Sequence, residues 1–433
     1  MRKILYVVVS MILLSCNGIK SIKSAFIKKS PYEHYVQRLE NAQLDKTVLA
    51  SSWIDAGKRA LQDSITISLP FTEGGSFQAG IPEARSYSFA ARDGQVLQVS
   101  AKIKSAQSAA MFVDLFARTD TTWTALAHGD STLQLSYEFE KDQQCLIRIQ
   151  PELLVNTYYT ITITMTPVLV NPVQGASNKS IGSFYGDARD GGKRKHESVD
   201  IFAPKGTPVV APTAGRITRV GTSTLGGKVV WMQDGKRGNS YYFAHLDEQL
   251  VKPGVNVKQG DTLGLVGNTG NAKYTPSHLH FGIYQTKSKD PIHYILTMDK
   301  LDNPSPLDTA FNFQPYRVIQ KNALLRVGPD VKQGVREKLS KDTYVRVLAQ
   351  TKTWYRVALP DNRQGFLPKS IGSTDKGRLI RLKSDATLLS ESKDDAAPLE
   401  HLQKSSTVEI LARFKNFDFV KTKAGQTGWI MAL

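Results

Sequence analysis

Apolar residues recur along this chain at two periods, and the changes of period mark its divisions. Residues 31–62 ("PYEHYVQRLENAQLDKTVLASSWIDAGKRAL" and onward) carry leucines and aromatics at helical spacing and predict one or two helices. From about 64 to 167 the period drops to two. "TISLPF", "SYSFAARDGQVLQVSAKI", "AMFVDLFART", "LQLSYEF", "CLIRIQP" and "YYTITITMTP" alternate apolar and polar positions with turns between them. That is the pattern of half-buried antiparallel strands, and it predicts a β-sandwich. A glycine-rich block follows, to about residue 286. The stretch "DNPSPLD", residues 302–308, reads as a linker.

The tail repeats itself. "VRVLAQTKTWYRVALPDNRQGFL" begins at Val345 and "VEILARFKNFDFVKTKAGQTGWI" at Val408. Val347/Ile410, Leu348/Leu411, Ala349/Ala412, Val357/Val420, Gly365/Gly428 and Phe366/Trp429 keep one offset without a gap. Each copy closes on glycine, an aromatic and an aliphatic residue, which resembles the bacterial SH3-like domain. The sandwich stretch likewise resembles the pre-peptidase C-terminal type of secreted hydrolases. The expected fold is therefore mainly β and multi-domain. A leader (1–16) precedes a tether and helical segment (17–62) and a sandwich (63–170). The glycine-rich domain (171–300) and two tail repeats (312–373 and 374–433) complete the chain.

The N-terminus sets the compartment. "MRKILYVVVSMILLSC" places Arg2 and Lys3 before an apolar run too short for a permanent transmembrane helix. It reads as a signal peptide. Its end at Cys16 resembles a bacterial lipobox, so Cys16 is expected to carry lipid and to anchor the protein in the cell envelope, facing the periplasm. The other cysteine, Cys145, has no partner for a disulfide and reads as a small buried hydrophobe. The 433 residues carry a formal net charge of +17. This favours anionic partners such as lipid, nucleic acid or cell wall. No zinc-finger, helix-turn-helix or RNA-binding signature accompanies the charge, so nucleic acid is set aside.

Four of the eight histidines fall between 196 and 280, in "HESVD", "YYFAHL" and "SHLH". In a strand, residues i and i+2 share a face. His278 and His280 then point one way while Leu279 and Phe281 face the core, and the same alternation groups Tyr241, Phe243 and His245. His196 and Asp200 are four residues apart, about 13 Å in a straight strand. Both reach one point only if the chain bends near Glu197–Ser198 and a strand begins at Val199. Two histidines and a carboxylate make a catalytic zinc set with a fourth position open, and the remaining histidines suit proton transfer. His34, His128, His293 and His401 read as structural or surface residues.

"HESVDIFAPKGTPVVAPTAGRI", "YYFAHL" and "GNTGNAKYTPSHLHFGI" together resemble the lysostaphin-type zinc endopeptidases of peptidoglycan, over about residues 180–286. The resemblance implies Zn2+ held by His196, Asp200 and His280, with His245 and His278 as catalytic residues, one a general base and the other a transition-state stabiliser. It implies hydrolysis of peptide bonds in peptidoglycan stem peptides or cross-links. The SH3-like repeats would contact the wall or the chain itself. One departure is Ser198, where the family carries glycine, a residue free to take positive φ in a bend. Two rival classes stand beside this reading. "VKPGVNVKQGDTLGLVG" looks like a biotinyl or lipoyl carrier module but lacks the modifiable hairpin lysine. The other is a non-enzymatic or autoinhibited envelope protein that binds peptidoglycan or regulates another wall hydrolase.

Overall fold

The computed structural model describes residues 29–433 except 64, 107, 299–300, 302–314 and 433. The leader with Cys16, the tether up to residue 28 and the 302–308 linker lie outside the described residues. Among those described, no helix is long and apolar enough to cross a membrane.

Two helices, Pro31–Asn41 and Val48–Ala60, occupy the first helical-period segment. Ser30 starts the first by a capping box: its Oγ accepts from Glu33 N and Glu33 Oε2 accepts from Ser30 N. Tyr32 stacks on Trp53 at 5.2 Å, and Trp53 Nε1 donates to Pro151 O at 2.8 Å. These aromatics seat both helices on the sandwich.

The sandwich packs Arg85–Ala91, Gln143–Pro151, Met111–Thr119 and Thr122–His128 against Phe71–Phe77, Thr157–Pro167, Gln95–Ser105 and Gln134–Glu138. Leu97, Val99, Ile161 and Ile163 meet Tyr87, Leu115, Ile147 and Ile149 in its core. Cys145 is buried there; burial pushes its thiol up to about 12, so the sulfur is inert. Phe71–Phe77, "FTEGGSF", is buried at every position although it has almost no apolar pattern. It is buried because it is central. One edge pairs with Thr157–Pro167, and the other pairs with Tyr344–Gln350 of the tail through Gly74↔Gln350 and Gly75↔Ala349. The sandwich sheet thus continues into the first tail repeat.

The glycine-rich domain is built on an antiparallel sheet ordered Asn256–Val257, Gly215–Ser223, Gly227–Gln233, Ser240–Leu246, His278–Tyr284, Val199–Phe202, Ile181–Ser183. One face is a closed apolar core containing Val199, Ile201, Tyr241, Phe243, Leu279, Phe281 and Ile283. The other face carries the histidines. The domain is tied to the sandwich by Arg237 Nε and Lys236 Nζ donating to Glu138, by Lys289 Nζ donating to Asp93 Oδ2, and by Tyr294 packed where Gly94 leaves room.

The tail repeat extends to whole strands. Ala323–Arg326, Val335–Leu339 and Gln364–Pro368 recur 63 residues later as Ala386–Leu389, Pro398–Leu402 and Thr427–Met431. The halves share a core in which Tyr344 lies 4.9 Å from Phe419 and 5.0 Å from Trp429.

Candidate metal centre

Three side chains converge on one point above the open face of the sheet. Asp200 and His280 are directly opposite on paired strands. His196 comes from the loop before Val199–Phe202, with a bend at Ser198. His196 Nε2 lies 3.1 Å from His280 Nδ1 and 3.2 Å from Asp200 Oδ1, and His280 Nδ1 lies 2.9 Å from Asp200 Oδ1. A tetrahedral ion about 2.0–2.1 Å from each donor asks for donors roughly 3.3 Å apart. Two imidazole nitrogens and one carboxylate oxygen, aimed inward at nearly that spacing, fit such an ion, and the three form a group that could hold a metal. Ser198 is fully buried and is not among the residues with positive φ. The bend therefore does not need the glycine that the resemblance leads one to expect.

Hydrogen bonds set the tautomer of two of the rings. A carbonyl oxygen can only accept, so a ring nitrogen whose one partner is a carbonyl must carry the proton. His245 Nδ1 donates to Thr269 O at 2.8 Å and His278 Nδ1 to Pro276 O at 2.9 Å, so both present a bare Nε2. His196 Nδ1 lies 3.0 Å from Phe184 O and 3.0 Å from Arg189 Nη2, and its Nε2 joins the donor triangle. On His245 and His278, whose rings are 5.0 Å apart, it remains available beside the triangle. Burial lowers the His245 ring to about 4, against a partial upward pull from its Thr269 bond, so the ring is neutral at neutral pH. Burial alone would raise the Asp200 carboxyl; the hydrogen bonds and charges of His196 and His280 outweigh it and hold the group well below the usual carboxylate range.

His278 and His280 stand on one face of their strand with Leu279 and Phe281 in the core, as the period of two requires. His245 breaks that rule. Tyr241 and Phe243 face the core, and strict alternation would send His245 there with them. Instead the pairing steps from Val230↔Phe243 to Lys228↔Leu246, one extra residue on the His245 strand. His245 takes φ +61°, and this β-bulge swings its ring out to the metal set. Grouping Tyr241, Phe243 and His245 on one face is thus corrected: the bulge separates them. Two loops hold the bulge. Thr269 Oγ1 donates to Leu246 O and accepts from Lys228 N, while His245 N donates to Gly226 O. The loops touch backbone to backbone, since a Cβ on Gly270 (φ +72°) would meet Gly227 N at 2.3 Å and Leu225 O at 2.4 Å.

Arg189 belongs to none of the motifs read from the sequence. Its Nη2 donates to Asp200 Oδ2 and to Ser183 Oγ, each at 2.7 Å. It thereby holds the carboxylate oxygen that is turned away from the triangle. The signal was present in "RDGGKRKHE", where a glycine-rich turn brings Arg189 beside His196 across the hairpin of Ala188–Arg189 and Arg194–Lys195.

The metal set lies at the bottom of a groove of about 640 Å³. One wall is uncharged: Leu225 and Gly226 of a turn, with Asn271, Ala272 and Thr275 of the next loop. The other is the hairpin, with Arg189, Arg194 and Lys195, followed by Glu197. The sheet order puts the turn two strands to one side of His278–Tyr284, and the hairpin, a separate two-stranded sheet, lies in the connection between the two strands on the other side. His34, His128, His293 and His401 do not line this groove.

Comparison with known proteins bears on the same segment. Residues 194–292 match the model of peptidase family M23. The L-Ala–D-Glu endopeptidase of Bacillus subtilis (strain 168) is 36% identical over 127 residues, covering 27% of this chain and 38% of that protein. The peptidoglycan DD-endopeptidase ShyC of Vibrio cholerae is 36% identical over 90 residues, 20% of either chain. The uncharacterized lipoprotein YgeR of Escherichia coli (strain K12) is 36% identical over 110 residues, 24% of this chain and 40% of that one. The chain thus spans well under two thirds of the length of these relatives. The donor triangle and the two flanking histidines all lie inside the segment, residues 194–292, that matches the model of peptidase family M23.

Proposed function

We propose that the protein is a zinc-dependent endopeptidase that hydrolyses peptide bonds in peptidoglycan stem peptides or cross-links. The observation that carries the reading is the convergence of His196, Asp200 and His280 with two further histidines at the bottom of an open groove. Two curated relatives of this segment are endopeptidases, one of them named for peptidoglycan. His196 Nε2, Asp200 Oδ1 and His280 Nδ1 would hold the ion. When bound, zinc polarises a scissile carbonyl and acidifies water at neutral pH.

The protein's own part is proton handling and orientation. His245 and His278 each commit Nδ1–H to a carbonyl, so neither can offer an N–H to an oxyanion until it has taken a proton at Nε2. The same atom that receives the proton of the attacking water is therefore the one that later donates, to the oxyanion or to the leaving amine. Arg189 holds Asp200 in place through Oδ2. The two tail repeats serve as SH3-like modules that contact the wall, and Cys16 as the lipid anchor to the membrane. A similar stretch occurs in a protein named as a lipoprotein.

Digestion of purified peptidoglycan, with released muropeptides analysed by mass spectrometry, tests the reading. Wild type releases peptide-cleaved products. His280→Ala loses both bound zinc and activity, and His245→Ala retains zinc but falls about 10²–10⁴-fold in rate, the usual worth of a positioned acid–base group. Wild-type protein that holds zinc and releases nothing would refute it.

A further inference from the structure

The open face of the sheet carries a second surface beside the metal set. A half-buried antiparallel sheet is expected to turn polar side chains outward. Three aromatics stand there instead. Trp231 is opposite Tyr242 on the next strand, and Tyr242 is opposite Gly282 on the histidine strand. Their neighbours Val230, Met232, Tyr241, Phe243, Phe281 and Ile283 fill the core on the other face, and Trp231, Tyr242 and Tyr284 are not part of it. All three side chains are partly exposed. The Trp231 ring lies 4.5 Å from Tyr242 and 5.4 Å from Tyr284, and Tyr242 lies 5.9 Å from His280. Tyr242 and Tyr284 line the groove, and Trp231 extends it one strand further from the metal set. Two glycines let the rings lie close against the backbone. A Cβ on Gly282 would meet Tyr284 Cε2 at 2.7 Å, and one on Gly226 would run into the Tyr242 hydroxyl. On the outer side Trp231 is opposite Arg219, which is exposed. Burial raises the Tyr242 phenol, and a Ser223 hydrogen bond and the Arg219 charge pull part of the way back, which puts that guanidinium beside the rings.

We infer that Trp231, Tyr242 and Tyr284 form a saccharide subsite, which seats a pyranose ring of the glycan strand while the attached stem peptide lies at the metal set. The inference rests on the peptidase reading. One face of a pyranose is made of C–H groups and lies flat on aromatic rings, while the hydroxyl and acetamido oxygens at its edge accept N–H bonds of the kind Arg219 supplies. The row continues the groove, so one substrate can occupy both. Two strand spacings of about 4.8 Å put Trp231 roughly 10 Å from the histidine strand. That is the place of a second group on the substrate rather than of the residue being cleaved. An apolar peptide side chain gains most from an enclosed pocket. An open row with a cation at its rim suits a ring that is apolar on one face and polar at its edge.

The test uses the full chain and one stem peptide in two forms, free and joined to its disaccharide. Binding is measured by calorimetry with and without zinc, and cleavage by kcat/KM with zinc. The wild type binds the glycan-linked form about tenfold more tightly, and its kcat/KM ratio follows the same order. In Trp231→Leu, which keeps apolar bulk but loses the ring, the ratio falls to about 1, and Trp231→Phe keeps most of the preference. Arg219→Gln, at an exposed position, lowers the ratio by a smaller factor, and matched thermal melts establish that the variants fold. A wild-type ratio near 1, or one that neither Trp231→Leu nor Arg219→Gln lowers, overturns the inference, and the peptidase reading stands if either form is cleaved. An equal loss on both forms in Trp231→Leu assigns the row to the peptide and also overturns it. A binding preference for the glycan-linked form without cleavage of either supports the subsite and overturns the peptidase reading instead.

Discussion

The two carboxylate oxygens of Asp200 face different partners. Oδ1 belongs to the donor triangle and Oδ2 to Arg189. Groups that orient a metal ligand are typically worth 10–100-fold in affinity. Arg189→Gln is thus expected to weaken zinc binding by about that factor, read by competition with a fluorescent chelator, while the fold melts close to wild type. Arg189→Lys should fall between, since one ammonium can reach Oδ2 but cannot match the planar fork. An unchanged zinc affinity in Arg189→Gln would assign Arg189 to the wall alone. Residue by residue, the legible part of the site was what the strand period governs: His278, His280 and the buried Leu279 between them. His245 was identifiable as a candidate, but its direction was not, because a bulge depends on the partner strand Gly227–Gln233 and on Thr269 far along the chain. Arg189 escaped because its role exists only once a turn folds it back onto Asp200.

Among elements, Phe71–Phe77 shows what periodicity omits. Pattern reading places a strand at "TISLPF", yet the paired strand starts at Phe71 and runs through Glu73, Gly74 and Gly75. Alternation reports a half-buried strand, whereas this one is covered by neighbours on both edges and both faces. Its one charged side chain is partnered through one of its two oxygens. Glu73 Oε1 accepts from Tyr87 Oη at 2.7 Å and Tyr159 Oη at 2.8 Å, with Arg356 Nη1 of the tail 3.9 Å away, and neither Glu73 nor Arg356 is exposed. Removing one member of a buried charged set leaves the other uncompensated, typically at about 3–5 kcal/mol. Arg356→Met should therefore lower the first urea midpoint markedly, and adding Glu73→Gln should recover part of the loss. A double variant less stable than the sum of the singles would contradict the pairing. Gly75 is constrained by space instead: a Cβ there would meet Arg85 Nη1 at 2.5 Å and Ala349 Cβ at 2.7 Å. Both are buried side chains, so Gly75→Ala should cost about 1–3 kcal/mol by overpacking. Its urea unfolding, followed by tryptophan fluorescence, checks this.

Over the whole molecule, the tail returns to the sandwich after the chain has passed through the domain that carries the histidines. The 63-residue repeat was legible because two copies of one pattern lie side by side in sequence. The return was not, because it joins Phe71–Phe77 to Tyr344–Gln350 across more than 250 residues and leaves no local trace. It does leave a physical consequence. An unpaired strand edge is a template for pairing with another chain, and folded proteins cover or charge such edges. On its tail-facing edge Phe71–Phe77 offers "EGGSF", a nearly uncharged stretch whose protection is the tail strand itself. Arg346 Nη2 donating to Glu83 and Arg336 Nη2 donating to Asp63 then lock the joint from its rim. A chain ending at residue 300 keeps every groove residue but bares that edge and the apolar surface of Ile65, which packs on Trp354 and Phe366. Such a truncation is expected to bind zinc as the full chain does, yet to dimerise or aggregate at concentrations where the full chain is monomeric. Light scattering after size exclusion reads the difference. A truncated protein that stays monomeric near 100 µM (about tenfold above common assay concentrations, within the range where exposed edges associate) would mean that the edge is protected by the sandwich alone.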